Sequence, residues 1–134
     1  MSKLVHVAVG VIQVENDQVA KQFFLTKRLE NTHQGGKWEF PGGKVEEDET
    51  VAQALARELK EEVAIEVLSC QPLTIIEHDY GDKKVRLEVF VVDNFSGEPS
   101  AQEGQQEGWF TLEQLTELDF PEANKTIINM LQEK

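Results

Sequence analysis

The sequence predicts a fold of mixed strands and helices, α/β or α+β in class, on three observations. Val5, Val7, Val9 and Val11 occupy every second position of residues 4–14, and Val85, Leu87, Val89 and Val91 do the same in residues 85–92, the period of a half-buried strand. Thr50 followed three residues later by Gln53 is a capping box, and Ala52, Ala54, Leu55, Ala56 and Leu59 behind it favour helix. Phe120-Pro121 opens a last helix over 122–132, with Ile127, Ile128 and Leu131 on one face.

At 134 residues, 40% apolar and 28% charged, the chain is expected to form one domain spanning 1–134 with a core of its own. Its formal net charge of −12 argues against direct nucleic-acid binding, which normally needs a basic face. A phosphate substrate would therefore have to be carried by metal. The lone Cys70 excludes an internal disulfide and fits a reducing compartment. Residues 1–10 contain no secretory apolar region, and no apolar run approaches membrane-spanning length. The expectation is a cytoplasmic protein with no membrane association.

In chain order, residues 4–14 form the first strand, with His6 on its less buried face, and Glu15-Asn16-Asp17 makes a turn into a hairpin strand over 22–27. Arg28 stands at the end of that strand. Residues 29–37, with Gly35 and Gly36, read as a loop, and Trp38-Glu39-Phe40 leads through Pro41 into Gly42-Gly43, glycines whose backbone permits close approach, a plain tight turn being the lesser reading. After the helix begun at Thr50, a short strand over 65–68 and a longer one over 73–78 are expected. Tyr80-Gly81-Asp82-Lys83 turns into the strand over 85–92, and Gly97-Glu98-Pro99 breaks it. Residues 100–108 form a polar loop, Trp109-Phe110 a short strand, and Thr111 with Gln114 a second capping box.

The helix after Thr50 carries the chemistry. At about 100° per residue, Glu61 and Glu62 fall on either side of Glu58, so carboxylates crowd one arc near a helix C-terminus, where the dipole disfavours anions. A divalent cation would resolve the repulsion. The spacing Gly43, five residues, Glu49, seven residues, Arg57-Glu58-Leu59, one residue, Glu61-Glu62, one residue, Ala64-Ile65 resembles the signature of the Nudix hydrolase family over residues 43–65. The departure is Ala64, where the family has Gly. Gly there would supply a left-handed residue ending the helix, and Ala in that conformation costs on the order of 1 kcal/mol.

The resemblance implies the α/β class and, more narrowly, an α/β/α sandwich around a mixed β-sheet. It also implies Mg²⁺, for which Mn²⁺ can substitute, held by Glu58 and Glu62, by Glu61, by the Gly42 carbonyl and by Glu103. Magnesium suits such oxygen donors. Cleaving a nucleoside triphosphate at an internal phosphorus needs charge neutralisation, an aligned water and a base. Arg57 is placed to orient Glu58, and Lys44 to stabilise the leaving phosphate. The base is Glu58 or a carboxylate of the 98–107 loop. Composition does not choose among Glu98, Glu103 and Glu107; the resemblance selects Glu103.

Ala8-Val9-Gly10, Trp38 to Lys44, Gly97-Glu98-Pro99, Glu103-Gly104-Gln105, Asp119-Phe120-Pro121 and Ala123-Asn124 extend the likeness to the family members that hydrolyse 8-oxo-dGTP to 8-oxo-dGMP and pyrophosphate, by water attack at the β-phosphorus. That activity cleans the nucleotide pool and prevents mutation. Asn124 fits it: an oxidised guanine presents N7–H beside the O6 acceptor, and an amide offers one acceptor and one donor side by side. Ordinary guanine would set acceptor against acceptor, and an unpaired buried group is costly. By the same likeness Arg28, His33, Phe40 and Tyr80 contact the nucleotide, as does Lys83, where those members carry arginine and its planar fork. The alternatives are a Nudix enzyme for another nucleotide, such as a modified CTP or dCTP, and a non-catalytic module that binds 8-oxoguanine, which would not need the glutamates. The partner expected is a small nucleotide, and the chain is expected to be a monomer.

Overall fold

The computed structural model describes residues 3–15, 21–30 and 35–133. Along the chain these form β1 Lys3–Val14, β2 Gln22–Lys27, β3 Trp38–Glu39, β4 Gly42–Lys44, α1 Val51–Val63, β5 Glu66–Asp79, β6 Lys83–Ser96, β7 Glu107–Thr111, α2 Leu112–Leu115 and α3 Glu122–Gln132. The strands make one mixed sheet in the order β3-β2-β1-β6-β5, with β4 paired to β1 and β7 to β2. β1 runs parallel to β6, from Lys3 opposite Lys83 to Ile12 opposite Val92. Its other edge is shared, antiparallel, between β4 and the start of β2.

Strand alternation sends side chains to two cores, one on each face. Val9, Val11, Phe23, Leu25, Leu87 and Val89 pack against Leu115, Phe120, Ile127, Ile128 and Leu131 of the α2–α3 side. Ala8, Ile12, Phe24 and Val92 pack against Ala54, Leu55, Leu59 and Val63 of α1. The result is the expected α/β/α sandwich around a mixed sheet. None of the described helices is long and apolar enough to cross a membrane.

Local signals place the helices. Thr50 Oγ1 accepts from the Gln53 amide at 3.1 Å while Gln53 Oε1 accepts from the Thr50 amide at 2.9 Å. Thr111 and Gln114 repeat the box at α2. α1 ends in Ala64 with φ 63° and ψ 31°, the left-handed conformation in which its side chain is strained.

One expectation needs correction. The separate strands over 65–68 and 73–78 are one strand, β5, whose register against β6 shifts between Val67 and Ser69, Ser69 and Gln71, and Pro72 and Thr74. β5 is the last strand of the sheet order, where bulges absorb a proline that cannot donate to the ladder. Gly42 and Gly43 form a strand that pairs with Val9 and Ala8, which sets aside the plain turn held as the lesser reading. The turn expected at Asn16-Asp17 lies outside the described residues.

Candidate active site

Steric closeness fixes where β4 and α1 meet. A Cβ on Gly42 would lie 2.0 Å from the Ala8 carbonyl oxygen, so that position admits no side chain, and one on Gly43 would lie 2.0 Å from Glu58 Oε2, so a side chain there would displace that carboxylate. The Glu58 carboxylate therefore rests directly on the backbone at Gly43, and the Gly42 amide donates to Glu62 Oε2 at 3.2 Å. Helix and glycine strand are thus joined through the two carboxylates.

Arg57 ties this junction down. Its Nε and Nη2 donate to the two oxygens of Glu49 at 2.8 and 2.9 Å, its Nη1 to Glu58 Oε1 at 2.7 Å, and Nη2 also to the Lys44 carbonyl at 3.0 Å. The forked contact with Glu49 is the geometry that a guanidinium makes best. It holds the Glu49 carboxyl down to about 2 and raises the arginine.

The carboxylates differ sharply in setting. Glu61 is exposed, with a loose contact to Arg57 at 3.5 Å. Glu62 is buried, and burial first, then the negative charges of Glu39, Glu103 and Glu58, push its carboxyl up to about 8 against the opposing Gly42 amide. Glu103 comes near because residues 98–107 fold back onto the end of α1. The Ser100 amide donates to the Val63 carbonyl at 2.9 Å and the Gln102 amide to the Glu62 carbonyl at 3.0 Å, satisfying acceptors that a helix end leaves open. Glu107 closes this loop by accepting from the Ala101 amide at 2.8 Å.

Among the described residues, no three His, Cys, Asp or Glu side chains converge as a ready-made metal cage. Glu58 leans on Arg57, Glu62 on the Gly42 amide, and the exposed Glu61 only loosely on Arg57. The donors are nevertheless of the right kind for a hard divalent ion. Glu62 in particular is a buried carboxylate whose neighbours all add negative charge apart from one amide, an imbalance that a cation would relieve.

Beside β4 opens a cavity of about 220 Å³. Gly42, Gly43 and Lys44 line one part of it, and Phe40, Tyr80, Lys83, Ala123 and Asn124 another. Phe40 stacks on Phe120 with ring centres 5.8 Å apart. Arg28 also lines it and donates from Nη1 to Glu39 Oε1 at 2.8 Å. Burial pushes the Glu39 carboxyl up despite Arg28 beside it. Tyr80 accepts the Ala123 amide on its phenolic oxygen at 3.0 Å, and burial raises that phenol. Glu103 lines a smaller cavity with Arg28 and Glu39.

The sequence-expected residues Arg28, Phe40, Gly42, Lys44, Tyr80, Lys83 and Asn124 thus share one cavity, with Glu58 and Glu62 at the backbone of its glycines. Glu61 is exposed but lies beside Glu58, both reaching Nη1 of Arg57, and His33 lies outside the described residues. Sequence reasoning missed Glu39, which couples Arg28 to the carboxylates, and the role of Glu49, whose distance from Arg57 gave no hint of the fork. A charged residue between Trp38 and Phe40 was the available signal for Glu39.

The NUDIX domain profile matches residues 4–131. A protein of Escherichia coli strain K12 named 8-oxo-dGTP diphosphatase is 38% identical over 130 residues, 97% of this chain and 98% of that one. A second from the same strain, named CTP pyrophosphohydrolase, is 32% identical over 121 residues, 90% of this chain and 84% of that one. Among solved structures, a MutT chain from a study of Aliivibrio salmonicida and Vibrio cholerae aligns with a TM-score of 0.83 at 37% identity, covering 98% of this chain and 100% of that chain.

Proposed function

This chain belongs to the Nudix family, and from that footing we propose that it hydrolyses 8-oxo-dGTP to 8-oxo-dGMP and pyrophosphate, sanitising the nucleotide pool. The observation that carries the reading is the single cavity that joins a candidate base-reading amide, Asn124, to the glycine strand on which Glu58 and Glu62 rest. Relatives named for the same activity support it.

Nudix hydrolases use a divalent metal; here the ion is Mg²⁺, replaceable by Mn²⁺, and Glu58, Glu62, Glu61, Glu103 and the Gly42 carbonyl would hold it. Bound there, it would neutralise phosphate charge and favour deprotonation of water. Arg57 keeps Glu58 in orientation. Glu58 or Glu103 takes the proton of the water that attacks the β-phosphorus, and Lys44 meets the charge that develops on the leaving group. Asn124 accepts from N7–H and donates to O6 of the oxidised base. Phe40 and Tyr80 flank that base, while Arg28 and Lys83 contact the nucleotide. The domain acts as a monomer over 1–134, in the cytoplasm, without nucleic acid.

The E. coli relative named for CTP favours a second reading, a cytidine triphosphate pyrophosphohydrolase. Monophosphate release from 8-oxo-dGTP, dGTP and a methylated dCTP, with Mg²⁺ and with chelator, separates the two. The proposal expects 8-oxo-dGTP to react at the lowest concentrations and only with metal. Faster hydrolysis of the cytidine compound would reverse the choice.

A further inference from the structure

We propose that Tyr80 is a positioning residue for base selection, its phenolic oxygen serving as the cap that α3 lacks and so setting the stance of Asn124. This rests on the reading of Asn124 given above. α1 and α2 are both capped by a threonine at their own N-cap. α3 follows Pro121, which offers no side-chain acceptor, so its first amides need partners from elsewhere. The Asn124 amide finds the Pro121 carbonyl at 2.9 Å. The Ala123 amide instead finds the Tyr80 hydroxyl oxygen, 43 residues back in the chain, at 3.0 Å.

The anchor is itself held firm. Tyr80 begins the β5–β6 turn, where its amide donates to the Lys83 carbonyl at 2.9 Å. Gly81, at φ +95°, donates to Asp79 Oδ1 at 2.8 Å, and the Tyr80 ring stands edge-on to His78 with centres 4.4 Å apart. Ala123 is 1% exposed, so its amide, without the phenol, would be a buried donor left unpaired. The first turn of α3 would then shift or fray. Asn124 is the next residue, and a paired amide contact with N7–H and O6 depends on direction as well as distance.

The test is Tyr80→Phe, which removes one oxygen, measured in the full chain with Mg²⁺ as kcat/KM for 8-oxo-dGTP and dGTP, alone and combined with Asn124→Ala. The expected result is a fall in the 8-oxo-dGTP to dGTP ratio by about threefold or more, and no further fall when Asn124 is already Ala, because the effect travels through that side chain. An undiminished ratio in Tyr80→Phe overturns the proposal, as does an equal fall in both backgrounds, which would mean that the hydroxyl itself contacts the base rather than acting through Asn124. Amide hydrogen exchange of the nucleotide-free protein tests the cap without any substrate. Exchange at Ala123 and Asn124 should quicken in Tyr80→Phe, and unchanged exchange refutes the cap whatever the enzyme prefers. Quickened exchange in Tyr80→Phe, together with a wild type that shows no preference for 8-oxo-dGTP, overturns the substrate reading and the selection role with it, while the cap stands.

Discussion

At the α1 end of the cavity most of the candidate side chains come from one helix and the segment just before it, with Glu103 brought in by the returning 98–107 loop, and they are held by charge: Arg57 grips Glu49 and Glu58, and α1 presses on Gly43. At the end proposed to hold the nucleobase, Phe40, Tyr80 and Asn124 arrive from separate parts of the chain and line the same cavity, tied by a neutral hydrogen bond from Ala123 to Tyr80. The first arrangement is local, over-determined and costly in electrostatics. The second is long-range and depends on where the β5–β6 turn and α3 come to rest. If the proposed roles are right, hydrolysis should be open to loss without disturbing choice of base, and choice of base without disturbing hydrolysis.

The largest effect should follow from Glu58→Gln. It keeps shape and removes charge at the carboxylate that rests on Gly43, and kcat for 8-oxo-dGTP should fall by about a hundredfold or more. Monophosphate release measures it; a variant retaining most of its rate would mean that the α1 end is structural.

A smaller effect lies in stability alone. Ala64 holds φ 63°, and Ala64→Gly relieves a left-handed strain of order 1 kcal/mol, partly offset by the greater freedom of glycine in the unfolded chain. The net gain should be a few tenths of a kcal/mol, read as a raised denaturation midpoint. A loss of stability would show that the methyl group of Ala64 packs productively.

The smallest effect is pH-dependent. The folded Glu49 carboxyl sits at about 2, below its ordinary 4.5, because Arg57 bonds to its ionised form. Its contribution to stability is therefore complete above that ordinary value and disappears as pH falls toward 2. The stability gap between wild type and Glu49→Gln, from denaturant titrations, should be widest at neutral pH and close near the folded value. A gap that stays constant across this range would mean that Arg57 does not act through the charge of Glu49.

The same contrast explains how far the sequence could be read. Caps and periodicity are local, so the α1 capping box at Thr50 and the span of α3 were legible from the residues alone, whereas the left-handed turn at Ala64 was suggested only by the glycine that the family carries there. Pairing is not local. Nothing near Gly42-Gly43 announces that these residues form a strand against Val9 and Ala8, and nothing near Pro72 says that bulges carry one strand across it. The carboxylate spacing in α1 was readable because it lies within a single helix. Different burial of Glu61 and Glu62 was not, because it depends on the loop that returns to the end of α1. Glu39 escaped notice for the same reason: its partner Arg28 belongs to the neighbouring strand's end.

The most direct test of the division between the two ends is the ratio of kcat/KM for 8-oxo-dGTP over dGTP, measured side by side in wild type, Glu58→Gln and Asn124→Ala. The account predicts that Glu58→Gln slows both nucleotides by a common factor and keeps the ratio, whereas Asn124→Ala lowers the ratio by about tenfold or more. A ratio that survives in Asn124→Ala, or that collapses in Glu58→Gln, would contradict it.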